Sequence, residues 1–390
     1  MHSTTSRPAL SSRLPITDRL SSTLNATRWI AATLVMLSHV RKLLFASADT
    51  LPHIALPYKL FYFLTALGDE AVMIFFVISG FLVGGISLAK ADAGRLSLRS
   101  YGLDRLSRIY VVLLPALVIG GCLDAIGIAF FNASGLYSGT TGLPIAMVIK
   151  ATGHLGPDTL AGNLAMLQGN YVPAYGSNGP LWTLACEWWY YVAFAGAVAA
   201  SRARMPARAI GIAALLLAVA ALWGHGMILA IVWVMGIAAS LYVRSSLPKP
   251  PIGVGLVVLI AGLLVAVRMH GAAATDTGFS WPQLAGRLAM GAAFTVFIVS
   301  AARGDRALPF AEMHARLADF SYSLYLVHTP VIVFAIAMLH DKSGLPLFAA
   351  PSLGQFIIAI AISIAAFAFA FLFSLATEKQ TARVRKALQA

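Results

Sequence analysis

Residues 24–39 read Leu24-Asn25-Ala26-Thr27-Arg28-Trp29-Ile30-Ala31-Ala32-Thr33-Leu34-Val35-Met36-Leu37-Ser38-His39, an apolar run that carries an arginine and a histidine. An ionisable group at the centre of a bilayer costs roughly 2.5–3.5 kcal/mol on insertion scales, so such residues are candidates for function by default. From Arg28 to His39 the chain turns through about three full helical turns, at about 100° per residue, which puts both side chains on one face. Along the axis the two lie about 16 Å apart at 1.5 Å per residue. Arg28 is therefore expected at one membrane surface and His39 beyond the midplane.

The rest of the chain agrees that this run crosses a membrane. The 390 residues are 59% hydrophobic and 11% charged, with a mean hydropathy of +0.81, whereas a soluble domain carries about a quarter charged residues. An all-α polytopic membrane protein is expected. Apolar runs of spanning length fall at about 24–47, 60–88, 109–131, 181–200, 208–223, 225–243, 251–268, 284–302, 319–339 and 353–376. Ten spans place both termini on one side. Lys and Arg are biased roughly three to one toward that side, which makes it cytoplasmic. The net charge of +13 does not signal nucleic acid, because the basic residues are scattered through short loops and form no single face. Cys122 and Cys186 make neither a disulfide framework nor a zinc site, and no metal is expected.

Residues 1–20 are polar and rich in Ser and Arg, and the apolar run after them lacks a small-residue cleavage site. They read as a disordered cytoplasmic tail rather than a signal peptide. Residues 21–378 form the membrane domain and 379–390 a second, basic cytoplasmic tail; nothing after residue 376 is long enough for another domain. The longest outer connection runs from about Asn132 to Pro180. Its Gly, Pro, Asn and Tyr content predicts an ordered cover with a short re-entrant or amphipathic helix near Leu160–Leu167.

Four more stretches put polar groups at membrane depth. AVMIFFVISGFL (residues 71–82) holds Ser79, and GPLWTLACEWWYY (179–191) holds Trp182 and Glu187. FSYSLYLVHTPV (320–331) holds Ser321, Tyr325 and His328 on one helical stripe, and Arg105 and Arg108 guard the inner mouth of the third span. On depth alone His39, Ser79, Glu187 and His328 can meet in the middle to outer half, and Arg28, Arg105 and Arg108 at the inner face. Structural roles compete. Ser79-Gly80 is ordinary helix-packing material, a buried His is often simply hydrogen-bonded, and the arginines can serve as snorkelling topology anchors. Trp182, Trp188 and Trp189 suit an interfacial belt or a sugar-sized pocket. A carboxylate such as Glu187 among aromatic residues needs a partner.

Together these motifs resemble the acyltransferase-3 family, membrane-bound enzymes that O-acylate extracytoplasmic glycans. Arg28 and His39, with ten residues between them, match the family's hallmark in the first span. AVMIFFVISGFL is similar to its second-span signature, GPLWTLACEWWYY to its Leu-Trp-Ser-Leu-x-x-Glu element, and FSYSLYLVHTPV to its Ser-Tyr-x-Leu-Tyr-x-x-His element. The similarity runs from Leu24 to about Glu378. The chain departs from the pattern at Met73, where the family often has Asp, and at Asp104-Arg105, where it often has two arginines.

The resemblance implies an acyl-CoA donor, most often acetyl-CoA, with its phosphates on Arg28, Arg105 and Arg108. His39 would be the general base, its ordinary pKa near 6.5 suiting proton removal at neutral pH. Glu187 would hold the other imidazole nitrogen or orient the acceptor. His328, Tyr325 or Ser79 would donate to the oxyanion, and Trp182 would line the acceptor site. A covalent acyl-His39 route is the alternative chemistry. The acceptor would be a carbohydrate hydroxyl of an exopolysaccharide, an O-antigen or a related glycan, at a bacterial inner membrane. The sequence does not specify an oligomeric state. The competing class is a proton-coupled transporter or flippase built on the same ionisable residues. Against it stand the lack of inverted symmetry and of paired Gly/Pro-broken helices.

Overall fold

The computed structural model describes residues 16–51, 55–140, 150–272 and 280–389. Residues 1–15 of the expected disordered tail thus lie outside the described residues, and residues 18–20 already belong to the first helix. The protein is 77% helical. Among the described residues there is no strand, only the isolated bridges Phe45–Ala349 and Gln168–Val172.

In chain order the helices are α1 (Asp18–Leu44), α2 (Leu56–Ala66), α3 (Gly68–Ser79), α4 (Ile86–Asp92), α5 (Leu98–Phe130), α6 (Pro157–Leu164), α7 (Leu181–Arg202), α8 (Ala207–Ala221), α9 (His225–Arg244), α10 (Ile252–Ala272), α11 (Trp281–Ala301), α12 (Ala311–Ala318), α13 (Ser321–Ser343), α14 (Leu353–Ala376) and α15 (Thr381–Gln389). A π-helical turn, Gly80–Gly85, joins α3 to α4. Seven stretches among the described residues are long and apolar enough to cross a membrane, including Leu56–Asp92, Leu98–Phe130 and Ser321–Ser343. The other three expected spans coincide with α1, α7 and α8. Polar and aromatic residues dilute the first two, and the third is only 15 residues long.

The chain folds as two compact units. The smaller comprises residues up to Leu24, Met73–Tyr101 and Leu229–Ala311; the larger comprises Asn25–Val72, Gly102–Ile228 and Glu312–Ala390. In the smaller unit backbones touch through glycines. A Cβ on Gly236 would lie 2.7 Å from Phe81 N and 3.0 Å from Gly80 C, so the π turn sits directly on α9. Gly255 and Gly286 bring α10 and α11 together in the same way, against Ser300 and Ala266. Small residues at such contacts are the usual means of joining helices where lipid removes any hydrophobic drive. The carbonyl of Gly85, at the end of the π turn, accepts from Arg244 Nη2 at 3.1 Å.

The larger unit is organised around α13. Pro330 lacks an N–H, so the carbonyl of Leu326 loses its helical donor. Asn178 supplies the missing bond, Nδ2 to Leu326 O at 2.7 Å. Gly120 of α5 packs on the same Pro330, 3.1 Å from Pro330 Cγ to an added Cβ. One turn along α5 the buried Asp124 accepts from Ser177 N and Ser177 Oγ, both at 2.7 Å. The end of the connection before α7 is therefore pinned to α5 and α13, as an ordered cover should be, while residues 141–149 of that expected cover lie outside the described residues. Its helix α6 lies slightly before the expected Leu160–Leu167, because Pro157 starts it and the left-handed Met166 (φ 57°) follows its end. The basic tail is the helix α15, and its Arg385 Nε lies 3.8 Å from Asp104 Oδ1.

Candidate active site

α1 carries Arg28 and His39 on one continuous helix, as the spacing predicts. The second ring is His328, from the eighth position of α13. His39 Nδ1 and His328 Nε2 are 2.8 Å apart, and the rings lie nearly parallel at 11°. His328 Nδ1 is 3.0 Å from Leu324 O. A carbonyl only accepts, so His328 Nδ1 carries a hydrogen, and the Nε2 of that neutral ring is an acceptor. His39 Nδ1 must then be the donor between the rings. The hydrogen-bond network thus assigns the tautomers and leaves His39 Nε2 with a lone pair. His328 and Thr329 are fully buried, whereas His39 is half-buried. Thr329 Oγ1 flanks His39 Nδ1 at 3.4 Å.

Near its middle α1 is tied to α12, Trp29 Nε1 donating to His314 Nδ1 at 3.0 Å. From there α1 and the chain through α13 proceed together to the histidine pair. Around the start of α13 lies a charged cluster. Arg108 Nη2 is 3.2 Å from Glu378 Oε1, and its guanidinium lies 5.1 Å above the Tyr322 ring. Glu378 Oε2 accepts from Ser323 N at 3.0 Å and Ser323 Oγ at 2.9 Å, satisfying an amide that the first turn of α13 leaves open. Arg28 is within electrostatic reach of Arg108, Glu378, Asp319 and Glu187. Glu187 accepts a hydrogen bond from Tyr191, one turn on along α7, and Arg105 lies 5.6 Å above that tyrosine ring.

The larger unit thus holds eight of the nine residues given a part in the expected reaction: Arg28, His39, Arg105, Arg108, Trp182, Glu187, Tyr325 and His328. Their partners differ from expectation in detail. Of the two roles offered for Glu187, the partner of the second imidazole nitrogen is His328, which meets His39 Nδ1. Tyr325 Oη is bonded to Thr183 Oγ1 at 2.7 Å, with Pro180 O at 3.4 Å. Trp182 is half-buried behind the cover, where a Cβ added to Gly169 would come within 2.7 Å of it. Ser79 belongs to the smaller unit, where its Oγ accepts from Trp233 Nε1 at 3.1 Å. Glu378 and Asn178 escaped the sequence reading. For Glu378 the signal was a carboxylate directly after the apolar run of α14.

This arrangement offers a preset proton acceptor, a second imidazole that orients it, and three guanidiniums among carboxylates. Among curated proteins and solved structures no relative matches the chain. The acyltransferase-3 family model, described as an acyltransferase domain, matches residues 22–375, nearly the whole chain. The chain belongs to the acyltransferase-3 family and is a membrane-type acyltransferase.

Proposed function

We propose that the protein transfers an acyl group, acetyl in the first instance, from cytoplasmic acyl-CoA to a hydroxyl of an extracytoplasmic carbohydrate. The observation that carries this reading is the chain Leu324 carbonyl–His328–His39, which leaves His39 Nε2 as the acceptor. His39 Nε2 takes the hydroxyl proton as the acceptor oxygen bonds to the acyl carbon; the thioester bond breaks, and the proton leaves with the CoA thiol. General base catalysis of this kind contributes about 10²–10⁴ in rate. His328 acts through His39. It receives the Nδ1–H, fixes the ring, and supports the charge that the ring acquires, as a neutral counterpart of the carboxylate in a Ser-His-Asp arrangement.

Arg28, Arg105 and Arg108 are the candidates for the donor's phosphates, since guanidinium forks suit them. Glu187 and Glu378 would hold these arginines in readiness, and a phosphate would compete with Glu378 for Arg108. The rise of about 16 Å between Arg28 and His39 suits a thin, extended arm between nucleotide and thioester. Trp182 offers a face on which a sugar ring can stack. The basic bias of the loops supports cytoplasmic termini, and a bacterial inner membrane is the setting that the proposed reaction calls for.

The test is label transfer. Membranes containing the full-length protein receive radiolabelled acetyl-CoA and a glycan acceptor, and label is expected in the glycan. Correctly inserted protein that never labels any glycan ends the proposal. A rapid burst of label on the protein, ahead of glycan labelling, would replace the direct route with an acyl-His39 one.

A further inference from the structure

The smaller unit contains a cavity of about 600 Å³ lined by Arg19, Ile252, Leu256, Phe297, Arg306 and Leu308, within the size range of ligand sites. Its lining combines the two guanidiniums with apolar side chains. Arg19 is seated firmly. Its Nε donates to Arg306 O at 3.2 Å, and its guanidinium lies so close to Gly304 that a Cβ there would collide with it. The loop bearing Gly304 and Arg306 is tied back to α1, with Leu308 N donating to Ser22 Oγ at 2.9 Å. Among the described residues neither Arg19 nor Arg306 is ion-paired to a carboxylate. Arg303 Nη1 donates to Lys249 O at 3.3 Å, which adds two cations to the same region. The apolar wall continues along α10, where Leu256, Ile260 and Leu264 repeat every four residues and are 45%, 57% and 55% exposed.

We propose that this cavity binds an anionic glycerophospholipid, with its phosphate on Arg19 and Arg306 and one acyl chain along Leu256, Ile260 and Leu264. Guanidiniums grip phosphate through forked, charge-assisted bonds. Basic pockets between membrane helices are suited to anionic head groups. The apolar run that leads away from the arginines selects an amphiphile over a free phosphate, and the excess of the cations Arg19, Lys249, Arg303 and Arg306 over Asp18 and Asp305 on the same segments selects an anionic lipid over a zwitterionic one. None of these residues belongs to the His39 constellation, so the inference is independent of the proposed reaction.

The experiment counts lipids retained by the full-length protein when it is ejected into a mass spectrometer from nanodiscs of phosphatidylcholine doped with phosphatidylglycerol. The wild type is expected to retain phosphatidylglycerol preferentially. Arg19→Gln combined with Arg306→Gln should lower that preference by about fivefold per arginine. Gly304→Ala, which keeps every charge and dislodges Arg19, should lower it as well. Leu256→Trp, which fills the groove with both arginines intact, should reduce retention even if the double variant fails to insert. An unchanged preference in the double variant, or unchanged retention in Leu256→Trp, overturns the proposal. So does displacement of phosphatidylglycerol by added palmitoyl-CoA, which would make the cavity a donor site.

Discussion

In the smaller unit helices meet through glycines: Gly80 on the backbone of α9, Gly255 on Ser300, Gly286 on Ala266. The larger unit uses the same device where Gly196 of α7 meets Gly211 of α8, but there α1 and α13 also meet through imidazoles, and α5 and the chain end meet through Arg108 and Glu378. Both solve the same problem, since lipid offers no hydrophobic drive for helices to associate and contacts must come from close packing or polar bonds. Glycine contacts avoid burying polar groups. Polar contacts are expensive to bury and fail badly if one partner is lost. The larger unit carries that expense, and it is also where the residues capable of acyl transfer collect. The comparison predicts that polar substitutions are loudest at the His39–His328 and Arg108–Glu378 contacts of the larger unit, whereas at the glycine contacts of the smaller unit it is added bulk that is loud.

The largest expected effect is that of His39→Ala, a loss of at least about a hundredfold in transfer rate with helical circular dichroism retained. A folded variant that labels glycan normally would erase the chemical distinction between the units. His328→Ala should cost about ten- to a hundredfold, the usual scale for a group that orients a working residue. His328→Asn should recover part of that, because its carbonyl oxygen can still accept from His39 Nδ1. If Asn and Ala are equally poor, His328 does not act by fixing the tautomer.

Arg28 and His39 were legible because an ionisable residue in an apolar run is conspicuous, and a helix of known rise fixes their spacing. The helices were legible for the same reason, apolar length. The pairing of His39 with His328 was not, since 289 residues separate them and periodicity within one helix says nothing about the rotation of another. The match of His39 to a ring rather than to Glu187 turned on that rotation. Equally illegible was the division into units, which cuts through α1, α3, α5, α9 and α12 at points that no composition shift marks. Ser79 looked like a mid-membrane donor, yet the indole of Trp233 takes up its oxygen. The π turn beside it left no trace beyond a cluster of glycines.

Bulk in the smaller unit should act on stability. Gly80→Leu forces side-chain atoms into the α9 backbone, with an expected cost of about 1–3 kcal/mol, read as a lower unfolding temperature in detergent. The transfer rate per folded molecule should stay within about twofold of wild type, since the residues assigned to transfer belong to the larger unit. A large loss of rate at unchanged stability would place part of the chemistry in the smaller unit. Smaller again is Arg28→Lys. Lysine keeps the charge and loses the fork, so the KM for acyl-CoA should rise several-fold with kcat nearly constant; identical kinetics would leave Arg28 a topology anchor. The smallest effect belongs to Ser79→Ala, which gives up one hydrogen bond of about 1 kcal/mol and should change transfer by less than about twofold. Abolished transfer in a stable Ser79→Ala protein would reverse the assignment of that residue.

The bond from Asn178 to Leu326 also bears on biogenesis. The amide donor precedes its carbonyl by 148 residues, so at about 5–20 residues per second it leaves the ribosome on the order of ten seconds earlier. When the proline-broken helix is finally inserted, the peptide oxygen that would otherwise lie bare in hydrocarbon finds its receptor already delivered.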